Sequence, residues 1–319
     1  MSRGSPPLVS VVIPTWNRPG TLTPAVRSVL SQTYSDLEVV VADDGSDPPA
    51  TLPDQLRNDP RLRILRTESV MGPGATRNEA VRMTQGPLLA FLDDDDEWLP
   101  GKLARQVEVM QASATDVAVV ETGFELWQQG RLLWRYLPRE DRDLALTLLN
   151  RPALQPSCVL MRREVFDELG GFNPTLARTQ DWELWVRLSD RYRVAVVREV
   201  LVKRRASEVP PREMLRAQNE IMEHIGPRID RLPEPERTRT RAGHLFQDGV
   251  LLAMNGRPKE ARPVLIESWR SNPSTLRPLF HVVRTFTGER VWAASARAAK
   301  PLVRVGRRVR GRDPFLREW

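Results

Sequence analysis

Four aspartates and a glutamate, Asp93 to Glu97, end the apolar run of residues 88–92 in the stretch LLAFLDDDDEWLP. Neighbouring carboxylates repel, and crowding raises at least one pKa unless a cation shares the site. If the segment is extended, Asp93 and Asp95 project to one side and Asp94 and Asp96 to the other. Two carboxylates on one side, just past a strand end, reach a hard divalent cation that keeps waters and completes its shell with substrate phosphates. The rival reading is a solvated acidic cap or a surface calcium site, and the run alone does not choose. Any metal must be held by oxygens. Cys158 is the only cysteine, and His224, His244 and His281 are the only histidines, which excludes an intrachain disulfide and a cysteine-rich zinc site and points to hard cations.

Two further polar clusters follow apolar runs: PTWNR (14–18) after residues 8–13, and DDGS (43–46) after residues 37–42. The elements that must position them alternate. Strands are expected at 8–13, 37–42, 62–65 and 88–92, and helices at 21–32, 74–84 and 102–110. Such alternation argues for an α/β, doubly wound, mostly parallel sheet, whose ligands sit beyond the carboxyl ends of the strands. Three polar loops at one sheet edge make a single site. No GxGxxG or GxxxxGK[ST] is present, so a glycine-rich helix entry is not the phosphate-binding device.

From about residue 115 the pattern changes. A strand and hairpin are expected over 117–134 with QQGR (128–131) as the turn, then a strand at 157–161 and a helix at 164–169. The turn GGFNP, a helix at 182–188 and a strand over 192–202 complete this part, and a boundary is placed near residue 205. Beyond it the chain is an all-helical, basic extension. Residues 244–272 resemble one tetratricopeptide-type hairpin, and a single copy suits packing against the first domain better than an array.

The net charge of +7 is uneven: residues 1–200 carry 23 Lys/Arg against 28 Asp/Glu, and residues 201–319 carry 25 against 13. Residues 291–312 hold seven basic side chains and no acidic one, which suits either a solvated tail or an interfacial anchor on an anionic membrane. Nucleic acid is the weakest of the anionic partners considered. No apolar run approaches the length of a membrane span, and the N-terminus lacks the pattern of an export signal, so a cytoplasmic protein, peripheral at most, is expected.

VSVVIPTWNR, VVVADDGS, GATRNEA and LAFLDDDDEWLPGKL, in this order, resemble the family 2 glycosyltransferases over roughly residues 7–205. The resemblance implies the GT-A fold, a nucleotide-sugar half (about 7–115), an acceptor half (about 116–205), and inverting transfer from a nucleotide-diphosphate sugar. It places the family's aspartate-x-aspartate motif on Asp93, Asp94 and Asp95. Asp95, with Asp93, would hold Mn²⁺ or Mg²⁺, while Asp93 and Asp94 would lie against the ribose and the metal shell. Pro14, Thr15 and Asp44 match nucleotide-contacting positions; Asn17 joins them or caps a helix, and Arg77 faces the diphosphate or an acidic neighbour. GGFNPTLARTQDWELWVRL resembles the acceptor-side segment, where Asp181 matches the general base and Glu183 is the reserve. The QxxRW signature of processive synthases is absent, so transfer of one or a few sugars is expected, to a glycan, lipid-linked or protein acceptor of a bacterial cell surface. Two other readings remain: a phosphatase with an aspartate nucleophile, and a non-catalytic scaffold with a degenerate donor site and a partner-binding helical C-terminus.

Overall fold

The computed structural model describes residues 7–140, 142–206 and 209–286. The chain divides into two compact units, Met1–Ser207 and Glu208–Trp319. The basic stretch 291–312 lies outside the described residues.

In the first unit β1 (Val9–Thr15) and β2 (Leu37–Asp43) are almost continuously buried, the signature of strands covered on both faces. β1 lies parallel to β2 on one side and to β4 (Leu88–Phe91) on the other, and β3 (Leu62–Arg66) extends the sheet beyond β2. The crossovers are α1 (Pro19–Leu30), the short α2 (Asp54–Arg57) and α3 (Pro73–Arg82). This is the parallel, doubly wound half the sequence calls for, and it brings the ends of β1, β2 and β4 to one edge.

The second half of the sheet is mixed. β8 (Val159–Arg162) runs antiparallel to β4 and to β6 (Val117–Gln128), which pairs in parallel with β9 (Arg193–Arg205). β7 (Arg131–Tyr136) folds back on β6, with Gln129 and Gly130 both at positive φ, as a two-residue hairpin turn requires. β5 (Glu97–Trp98) caps the far edge on β9. α4 (Lys102–Ala112), α5 (Leu144–Asn150), α6 (Arg163–Glu168) and α7 (Gln180–Ser189) complete the unit. The sheet order is β3-β2-β1-β4-β8-β6-β9-β5, with β7 on β6. α2, α5 and β5 escaped the sequence reading: helices of four and seven residues and a two-residue strand are too short to show a period.

The second unit contains, among the described residues, α8 (Pro211–Asp230), α9 (Glu236–Met254), α10 (Pro258–Ser271) and α11 (Arg277–Arg284). α9 and α10 form the expected hairpin around Val250, Ala253, Ala261 and Leu265. They approach closely because residue 249 is glycine: a Cβ there would lie 2.6 Å from Leu265 Cγ. No helix among the described residues is long and apolar enough to cross a membrane.

Candidate active site

The acidic run is a turn rather than an extended segment. The amide of Asp96 donates to the carbonyl of Asp93 at 3.0 Å, closing residues 93–96 between β4 and β5. The alternation expected from an extended chain therefore fails, and Asp94 and Asp95 face one cation together. Arg18 Nη1 lies 3.0 Å from Asp94 Oδ1 and 2.9 Å from Asp95 Oδ2. Thr15 Oγ1, at the end of β1, donates to Asp94 Oδ2 at 2.6 Å. Burial raises the pKa of Asp94 against the opposing effects of Thr15 and Arg18. Asp95 is raised by burial and then by the charge of Asp93. The repulsion foreseen from the sequence is present and only partly cancelled.

Asp93 is tied elsewhere. Its carboxylate accepts from Arg77 Nη2 at 2.6 Å, and its amide donates to Ser157 Oγ at 3.1 Å. Asp96 turns inward, where Arg205 donates its amide at 2.9 Å and Arg204 Nε lies 3.4 Å away. Burial drives Asp96 up to about 7 despite that guanidinium. It anchors the turn to β9.

The two aspartates after β2 divide their work. Asp43 accepts from the amides of Ser46 and Ala50 and pairs with Arg66 at 3.0 Å, which is turn chemistry. Asp44 spans to the loop before α3, accepting from the amides of Met71 at 2.8 Å and Gly72 at 2.9 Å. Gly45 follows at φ +68°, a conformation that L side chains rarely adopt. Asn17 neither caps α1 nor points away from the β2 loop: its Oδ1 accepts from the amide of Asp47 at 2.8 Å. Pro14 lies within β1, paired with Ala42.

Asp181 opens α7. Burial pushes its carboxyl up to about 6; the Arg77 guanidinium opposes this and the Asp93 charge adds to it. Both influences place Asp181 within electrostatic reach of Arg77 and of the acidic turn. Glu183 is differently placed. It forms a two-point pair with Arg187, at 2.7 Å for each contact, and Arg187 also donates to the carbonyls of Leu169 and Gly171. Glu183 thus orients the Arg187 side chain that holds the Gly-Gly-Phe turn. Around Asp181, Arg77 Nε, Thr179 Oγ1 and Gln180 Oε1 are buried without a partner among the described residues.

The sequence reading assigned no role to four residues that shape this site. Arg18 and Trp16 stand inside the PTWNR run, and Trp16 is 52% exposed, unusual for so large an apolar side chain. Arg204 and Ser157 carry no local signal, because their partners are distant in sequence.

The donor set has the chemistry of a hard-cation site. All the side chains available are carboxylates, and among the described residues no group of three or more His, Cys, Asp or Glu forms a cage. Carboxylates are the ligands that Mg²⁺ takes, with water completing its octahedral shell.

The sequence profile described as "Glycosyl transferase family 2" matches residues 10–170, and the chain belongs to this family. An uncharacterized glycosyltransferase of Rickettsia conorii is 30% identical over 208 residues, covering 62% of this chain and 34% of that relative. The chain thus spans about a third of the length of that relative. A putative colanic acid biosynthesis glycosyl transferase, WcaA of Escherichia coli K12, is 39% identical over 104 residues, 31% of this chain and 36% of that protein. Among solved structures, S. aureus TarS 1-349 in complex with UDP-GlcNAc superposes with a TM-score of 0.60 at 20% identity, covering 87% of both chains. A mannosyltransferase of Pyrobaculum calidifontis, in complex with GDP-Man and Mn²⁺, superposes at 0.56 with 17% identity, over 92% of this chain and 84% of that one. The fold is GT-A, as the sequence motifs imply.

Proposed function

We propose that this protein is a metal-dependent, inverting, non-processive glycosyltransferase. It would move a sugar from a nucleotide-diphosphate donor to a hydroxyl of a cell-surface glycan, lipid-linked or protein acceptor. The observation that carries the reading is the acidic turn at the shared strand edge, where Arg18 meets Asp94 and Asp95, Arg77 meets Asp93, and Asp181 stands within electrostatic reach. The nucleotide complexes of the structural neighbours and the description of the Escherichia coli relative support the donor class and the surface-glycan assignment.

In this mechanism Trp16 offers its exposed face to the base, while Thr15 and Asp44 line the nucleotide. Asp93 and Asp94 would lie toward the ribose and the metal shell, and Arg18 and Arg77 supply positive charge for the leaving diphosphate. A Mn²⁺ or Mg²⁺ held by Asp95 and Asp93 would add Lewis-acid stabilisation of that charge. Asp181 accepts the proton of the acceptor hydroxyl as its oxygen attacks the anomeric carbon. The bond from that carbon to the diphosphate oxygen breaks on the opposite face, so the configuration inverts.

A panel of UDP-, GDP- and dTDP-sugars, assayed with Mn²⁺ or Mg²⁺, tests the reading, with the anomeric configuration of the product followed by NMR. Turnover of one donor class, removed by chelation and inverting in outcome, is expected. Folded protein that neither binds nor turns over any donor with either metal overturns it.

A further inference from the structure

The four most exposed large apolar side chains among the described residues are neighbours in sequence. Leu276 is 70% exposed, Phe286 68%, Val283 64% and Phe280 61%. Scattered exposed apolar residues are ordinary on a soluble protein, but a contiguous set is not. Leu276, Phe280 and Val283 recur at i, i+4 and i+7 and form one stripe along α11.

The opposite side of α11 is anchored. Pro278 is buried, Val282 packs on the α9–α10 core, and the His281 ring meets Phe246 edge-on at 5.2 Å. Arg262 clamps the helix end, donating through Nε to Thr285 Oγ1 at 2.9 Å and through Nη2 to its carbonyl at 3.1 Å. The orientation of the helix is therefore set by the hairpin beneath it, and the apolar stripe is held outward.

Charge is concentrated on the same part. Residues 209–256 carry seven basic and seven acidic side chains, whereas residues 257–286 carry six basic and two acidic. Between 268 and 286 there is no acidic residue at all. Arg262 lies over the Phe286 ring at 3.7 Å and Arg284 over Phe280 at 5.8 Å, so cations border the exposed rings.

From this combination we infer that α11 is a docking surface for a bilayer containing anionic lipid. Leu276, Phe280 and Val283 enter the boundary between headgroups and acyl chains, with Arg277, Arg284 and Arg270 among the headgroups. Charge selects this occupant. A second copy would place one basic face against another. The chain's own residues 287–319 carry nine basic and three acidic side chains and would add like charge. An anionic surface supplies the counter-charge. The inference uses only the second unit and is independent of the donor-site reading.

Flotation of the full chain with phosphatidylcholine vesicles, with and without phosphatidylglycerol, is the test. Wild type should float with the phosphatidylglycerol vesicles at low salt and be released as salt is raised. Phe280→Glu with Val283→Glu should lower the partition by about tenfold or more while the circular dichroism and melting are retained, because both positions are exposed. Phe280→Ser with Val283→Ser should fall in between, and Arg277→Gln with Arg284→Gln should remove the preference for the anionic vesicles. Wild type that ignores the vesicles at low salt overturns the inference, as do glutamate variants that bind as tightly as wild type. A wild-type dimer in sedimentation that Val283→Glu splits makes a second copy the occupant instead.

Discussion

Arg18 pairs with both Asp94 and Asp95 at the acidic turn. Its guanidinium is half exposed, so a metal held by Asp95 would displace it at modest cost. Arg18→Gln should therefore raise Mn²⁺ affinity in the absence of donor by about fivefold, ~1 kcal/mol, read as free Mn²⁺ by electron paramagnetic resonance. A loss of affinity would show instead that Arg18 orders the turn. Asp181 makes a prediction of opposite sign for stability and activity. Its carboxyl titrates at about 6, so transfer should rise with pH through that value as the base ionises. The folded state holds this proton more tightly than the unfolded chain does. Ionisation therefore costs stability, and the cost grows as pH climbs from the ordinary carboxylate range through about 6. At pH values above that window, Asp181→Asn should stabilise the fold by about 1–3 kcal/mol. It should reduce transfer by about 10²- to 10⁴-fold, with donor binding near wild type by calorimetry. A variant that turns over normally places the base on another group.

At the element scale the acidic turn is held from behind. Ser157 stands in a short 3-10 turn (Pro156–Cys158) just before β8 and is fully buried. Its hydroxyl accepts from the amide of Asp93 and opposes the rise in the Asp96 pKa. Its carbonyl accepts from Trp98 Nε1 at 2.8 Å. The same 3-10 turn is pinned by Gln106 of α4, whose Nε2 donates to the carbonyls of Cys158 at 2.9 Å and Val120 at 2.7 Å. Lys102, fully buried over the Trp98 ring and lowered by burial to about 7, holds Gln106 Oε1 at 2.7 Å. Ser157→Ala leaves the Asp93 amide without its acceptor, which should destabilise the unit by about 1–3 kcal/mol. Mn²⁺ affinity should fall with it, because the turn that presents Asp93 and Asp95 loosens. Unchanged metal binding in a destabilised variant would confine Ser157 to folding.

At the scale of the whole molecule, each unit carries its own core, as separate domains do. Leu265 is fully buried in the helical unit, whereas every residue assigned to donor, metal or base lies between positions 14 and 181. Leu265→Ala should cost about 2–5 kcal/mol, seen as an earlier loss of helical circular dichroism. Donor binding measured below that transition should stay at the wild-type value. Coincident loss of both would mean that the two units unfold as one.

The parallel half of the sheet was legible in the sequence because strands buried on both faces are continuous apolar runs, and the polar clusters at their ends announced one shared edge. The order of VSVVIPTWNR, VVVADDGS, GATRNEA and LAFLDDDDEWLPGKL was enough for the family, and the helix opened by Asp181 was visible beside its Gly-Gly-Phe turn. Other facts arose only from packing. The antiparallel strand β8 between β4 and β6 has no periodicity that fixes its partners. That the acidic run turns back on itself, so that Asp94 and Asp95 share Arg18 while Asp96 is buried against β9, depends on Arg204, Arg205 and Ser157, each at least 61 residues away. Local pattern reports which face a residue prefers, since burial follows the period of its own element. Which charges meet is a pairwise distance between remote parts of the chain, and only the folded structure decides it.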